Sequence, residues 1–173
     1  MRSLMVFACL GTIAGSLVSI PDVQAAGKVI PARIDELVER SERIVLAKVE
    51  SVQARPDQKN LWARATVKEV WKGPKVETVE YRITPKHPLD SYKAVPGETV
   101  LLFLAKEDGD WRIAWCGYGR MTLETQDSKE YLSYWGVIFP DGTPSIVFSE
   151  GKKGRSDRGI ELKVVKELIL GKK

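Results

Sequence analysis

Cysteine and histidine are nearly missing from this 173-residue chain, which has two of the first and one of the second. Cys9 lies in an apolar N-terminal run that reads as an export signal, so Cys116 is the one thiol expected to remain. A chain with one thiol forms no intrachain disulfide even in an oxidising compartment, and its fold must stand on packing alone. Structural zinc takes four Cys or His ligands and catalytic zinc usually three protein ligands. One Cys116 and one His87 cannot supply them, so neither a metal nor another cofactor is expected. No calcium loop, glycine-rich phosphate loop or Gly-x-Ser-x-Gly elbow is present either. The uncharged run Leu4 to Val18 falls short of the roughly 20 residues a membrane helix needs, and no stop-transfer pattern follows it.

That run does have the parts of a cleavable signal. Arg2 provides the positive start, and Val23-Gln24-Ala25 offers small residues where a signal peptidase reads. Residues 1–25 are therefore expected to leave after Ala25 or Ala26, giving a periplasmic or secreted chain with no stable membrane insertion. Val6-Phe7-Ala8-Cys9 loosely imitates a lipobox, but too few residues separate Cys9 from Arg2 for an apolar signal core. The 148 residues that remain suffice for a domain burying about 68–70% of its unfolded surface.

The net charge of +4 is unevenly placed. Residues 151–173 hold eight Lys and Arg against three acids, a net of +5, whereas residues 26–150 come to −1. Basicity confined to a tail reads as solubility or weak attraction to an anionic envelope. With export and a near-neutral body, it argues against nucleic acid as a partner.

Along the chain, Pro31 to Ser41 reads as a short helix, with Ile34, Leu37 and Val38 at helical spacing. From Arg43 the pattern turns to strands: a β-branched run through Val49, then alternation over Leu61 to Val67. That alternation slips near Glu69, where Val70 and Trp71 adjoin, as a β-bulge or a strand turning the corner of a small barrel would make it. Val76, Val79, Tyr81 and Ile83 mark a further strand. Val100 to Leu104 is unbroken apolar sequence, the mark of a strand buried on both faces. Glu107 to Asp110 is a turn into Trp111–Trp115. Tyr131–Phe139 and Ser145–Phe148 read as two strands joined around Pro140-Asp141-Gly142-Thr143, and Glu150 to Gly159 as a polar loop. Ile160 to Leu170 is amphipathic and closes the chain as a helix.

Three of these segments carry a family resemblance. Ser41 to Val49, Val67-Lys68-Glu69-Val70-Trp71-Lys72-Gly73 and Pro96 to Leu104 resemble the first, second and fourth strands of tissue-inhibitor-of-metalloproteinase-like (netrin-module) domains. The resemblance implies a mostly β fold, a five-stranded OB-like Greek-key barrel over residues 31–120 that includes the N-terminal helix. Residues 121–173 would add a hairpin and a helix packed on it. The inhibitors of that family coordinate the protease zinc through a cysteine at the processed N-terminus. This chain has none there, so that mechanism is not carried over.

Three residues stand out as candidates for binding. Trp62 lies opposite Leu61, Ala63, Ala65 and Val67 in its alternation, so one of these two faces is expected to point out of the barrel, where OB barrels stack exposed rings on sugars or bases. Gly117-Tyr118-Gly119-Arg120 is expected to project Tyr118 and Arg120, two residue types common at binding hot spots. The simpler readings are aromatic packing for the tryptophans and a strand-exit turn for the glycines. Cys116 and His87 are the only thiol and imidazole available as a nucleophile–base pair, and neither sits in a catalytic motif, so no enzyme activity is expected. The leading expectation is an exported binding or accessory module engaging an envelope or secreted protein, a protease among the candidates. The alternative is a glycan-binding domain that uses exposed tryptophans.

Overall fold

The computed structural model describes residues 31–55, 60–83, 94–115, 118–151 and 155–171. The expected signal segment, His87, Cys116 and Gly117 lie outside the described residues.

The first part of the chain runs β1 (Ala32–Arg33), α1 (Ile34–Arg40), β2 (Arg43–Ala54), β3 (Leu61–Lys72), β4 (Thr78–Ile83), β5 (Thr99–Glu107) and β6 (Asp110–Ile113). Strand β2 pairs with both β3 and β5, β3 with β4, and β5 with β6. A parallel contact between β4 and β6 closes the ring. The product is a closed five-stranded barrel with extra strands and a C-terminal helix, as expected for an OB-like fold. Alternation explains its interior: Val45, Ala47, Val49, Ala63, Ala65, Val79, Tyr81, Ile83, Val100, Leu102 and Leu104 all point inward and are buried.

The slip near Glu69 is a pair of bulges. The register steps from Ala47↔Val67 to Leu46↔Glu69 and from Val45↔Val70 to Ile44↔Lys72, so Lys68 and Trp71 are extra residues on β3. Strand β5 is buried on both faces, from Val100 to Leu104. Its even positions face the barrel interior, while Leu101 and Phe103 face a second core outside.

That outer core is closed by β7 (Arg120–Gln126), β8 (Lys129–Tyr134), β9 (Val137–Ile138), β10 (Ile146–Gly151), β11 (Arg155–Glu161) and α2 (Leu162–Leu170). Strand β7 pairs with β5, and the sheet continues through β8 and β11 to β10. Met121, Leu132, Ile160 and Val165 from these elements pack with Ile44, Leu46, Leu101 and Phe103 on the barrel wall and with Ile34 and Leu37 of α1.

Several local expectations are corrected here. The helix begins at Ile34, because Ala32 and Arg33 pair in parallel with Val137 and Ile138 as β1. The hairpin around Pro140 to Thr143 does not form. The turn exists, with Thr143 N donating to the Pro140 carbonyl at 3.1 Å, but its flanks pair elsewhere: β9 with β1 and β10 with β11. Gly136 is what parts β8 from β9: its φ is +68°, and a Cβ there would lie 1.9 Å from Tyr118 Cε1. Two antiparallel pairs of consecutive strands form instead, β7–β8 and β10–β11. The first is the one the sequence did not announce. It turns at Asp127 and Ser128, both at positive φ, and the missing glycine left the sequence without its usual sign. The expected polar loop over residues 150–159 is largely the end of β10 and most of β11. Gly159 marks a close approach rather than a loop, since a Cβ would lie 2.1 Å from the Phe148 ring.

Candidate functional site

On the outside of the barrel, strand register lines up Gln53, Trp62, Arg82 and Arg112 in one row across β2, β3, β4 and β6. The next row is Ser51, Arg64 and Glu80. These residues alternate with the buried Ala63, Ala65 and Tyr81, so the pleat that fills the barrel also aims the arginines outward. The Arg55 guanidinium lies 3.8 Å from the Trp62 ring centroid, and its Nη2 pairs with Glu80 Oε2 at 2.8 Å. Arg82 Nη2 pairs with Glu107 Oε2 at 2.8 Å and its Nη1 approaches Asp110 Oδ2 at 3.7 Å; Glu107 also pairs with Arg112. A shallow groove of about 130 Å³ runs between Ser51, Gln53, Arg55, Trp62, Arg64 and Glu80. Larger concavities lie beside the start of α2 and inside the β3–β4 connection, but neither is lined by an aromatic ring. Guanidiniums held in a row beside an indole can grip a partner by forked hydrogen bonds to its carboxylates.

The three residues singled out in the sequence do not come together. Trp62 is on the outer face, as its alternation requires, yet only 7% exposed, because Arg55 covers the ring. Tyr118 is not projected into solvent. It is 3% exposed, stacked on Trp135 with centroids 5.4 Å apart, inside the outer core. Gly119 explains this: a Cβ would lie 3.0 Å from the carbonyls of both Ala114 and Phe103, so the glycine draws the turn against β5. Arg120 is also buried, at 6% exposure. Its Nη2 pairs with Glu98 and its Nη1 donates to Thr122 Oγ1 at 3.2 Å, tying β7 to the turn that leads into β5. Burial pushes the pKa of the neighbouring Tyr81 hydroxyl up, with Arg120 pulling the other way.

None of the five tryptophans is fully exposed. Cations lie over three more of them: Arg40 over Trp115 at 4.1 Å, Arg43 over Trp111 at 4.6 Å and Lys166 over Trp71 at 5.8 Å. Trp62 and Trp71 are buried, and Trp111, Trp115 and Trp135 are half-buried. Trp71 also donates its indole N–H to Glu69 Oε2 at 2.9 Å, where Lys166 of α2 pairs at 2.6 Å. Those two partners hold the Glu69 carboxyl below the usual carboxylate range.

Arg55, Arg82, Arg112 and Glu107 were not singled out in the sequence. A signal was available for two of them: Arg82 lies between Tyr81 and Ile83, and Arg112 between Trp111 and Ile113, at the outward positions of alternating strands. Among the described residues no group of three or more His, Cys, Asp or Glu could hold a metal ion, and no helix is long and apolar enough to cross a membrane. Compared with protein-family models and with curated proteins, the chain matches none.

Proposed function

We propose that this chain is an exported, non-enzymatic binding module of the netrin type. It engages another envelope or secreted protein through the outer face of β3, β4 and β6. The observation that carries the reading is the row Trp62–Arg82–Arg112 with Arg55 laid over the indole. Tryptophan and arginine dominate binding hot spots. Here their side chains are already ordered by ion pairs to Glu80, Glu107 and Asp110, so docking immobilises little that is not already fixed. OB barrels commonly bind on this face, which adds weight by analogy of fold alone. A covered Trp62 ring suits a protein partner that brings carboxylates to the arginines better than a sugar that needs an open ring.

The test is photo-cross-linking in the cells that make the protein. A photo-reactive residue in place of Arg64 should capture one defined protein, and one in place of Glu124 on β7 should not. No product from position 64, or equal products from both positions, would remove the face from consideration.

A further inference from the structure

The five joints of the barrel are unequal. Four are ladders of at least four paired residues, whereas β4 meets β6 at the single pair Arg82↔Arg112. Two like charges directly across a joint weaken it. Both guanidiniums are largely covered, with side-chain exposures of 16% and 32%, so water screens them incompletely. Arg82 Nε is buried and has no acceptor among the described residues. What offsets the repulsion is one carboxylate: Glu107 Oε2 pairs with both Arg82 and Arg112, and Asp110 lies at the edge of the set. Glu107 is delivered by the β5–β6 turn, where Asp108 and Gly109 both take positive φ and hold the hairpin tight.

We infer that the β4–β6 joint is a seam held by the Glu107 carboxylate, and that it opens locally before the rest of the barrel. Opening would bare the edge of β4 at Ile83 and the partly buried Trp111 and Ile113, while the ladders of β2 with β3 and β5 stay closed. The seam crosses the face proposed for binding, but the inference stands on the barrel alone.

Hydrogen exchange of the full chain, resolved by segment, tests it. In the unaltered protein the amides of Asp110–Ile113 should exchange faster than those of Ile44–Val49. Equal protection of the two segments would overturn the seam. Glu107→Gln should speed exchange in Asp110–Ile113 and at Arg82 and Ile83 roughly three- to tenfold and leave β8 and β11 unchanged. No change, or an equal rise in every strand, counts against it. The double variant Glu107→Gln, Arg112→Gln removes one of the facing cations and should recover most of the protection. A double variant as fast as the single one would show that Glu107 acts through its turn and not as a clasp.

Discussion

The molecule has two cores back to back on the same strands, and they are built differently. The barrel interior is filled by valines and alanines, with Leu102, Leu104, Ile83 and Tyr81 as its larger members. The outer core takes bulkier and more varied side chains: Phe103, Trp71, Tyr118, Met121, Leu132 and Ile160. Geometry accounts for the difference. A five-stranded ring leaves a narrow interior in which small and β-branched residues fit, whereas a sheet face, two helices and a strand pair enclose a wider and less regular space. The two also differ in how their residues are spread along the chain. The interior draws on residues 45–104, and the outer core joins residues 32–46 and Trp71 to residues 101–165. Strand β5 belongs to both, so the barrel provides the wall against which the outer core forms.

Phe103→Ala and Leu102→Ala are the strongest way to break that comparison, since these neighbours face opposite cores and are both fully buried. Each should lose about 2–5 kcal/mol, with Phe103→Ala toward the upper end. Because they share a strand, both should lower the midpoint of one common denaturant transition, followed by tryptophan fluorescence and far-UV dichroism together. Two separated transitions, each moved by one variant only, would mean the cores unfold as independent units.

A smaller effect is expected at the ion pair that ties β7 to the barrel. Arg120→Ala would leave Glu98 with little access to water, at a cost of about 3 kcal/mol. Replacing both, as Arg120→Met with Glu98→Gln, should recover much of the loss when measured by chemical denaturation. If the double variant were no more stable than Arg120→Ala, the cost would lie in lost packing and not in the uncompensated carboxylate.

The smallest effect sharpens the boundary at α2. Glu69 titrates below its ordinary range because Lys166 and Trp71 stabilise the charged form. A carboxyl lowered on folding contributes its stability above the unfolded value, near pH 4, and loses it as pH falls through the lower folded value. Acid should therefore loosen α2 from β3, and Glu69→Gln should do the same at neutral pH. With both side chains about 40% exposed, the contribution is well under 1 kcal/mol. Trp71 emission should shift with pH in the parent chain and lose that shift in Glu69→Gln; an unchanged titration would place the pair outside the docking of α2.

The barrel was largely legible in the sequence, down to the bulged end of β3 and the doubly buried β5. Its cues are local: alternation with period two, apolar runs of strand length, and turns marked by glycine and proline. The outer core was less legible. The β7–β8 turn uses Asp127 and Ser128 where glycine would announce a hairpin, and Gly119, Gly136 and Gly159 answer to side chains and backbone that arrive from distant segments. The candidate site divided in the same way. The alternation of β3 set Trp62 on the face opposite Ala63 and Ala65, but the guanidiniums beside it, Arg55, Arg82 and Arg112, come from three other places in the chain.

By itself the sequence determined that β5 must be buried on both faces, that the alternation of β3 must break near Glu69, and that a closing helix must lay one face on something apolar. Tertiary structure alone decided what covers each of those faces. It also turned Tyr118 and Arg120 inward, because their burial depends on Trp135, Gly136 and Glu98 meeting them from connections elsewhere in the chain. Periodicity tells a residue which side of its strand it occupies, and only strand order tells what lies on that side.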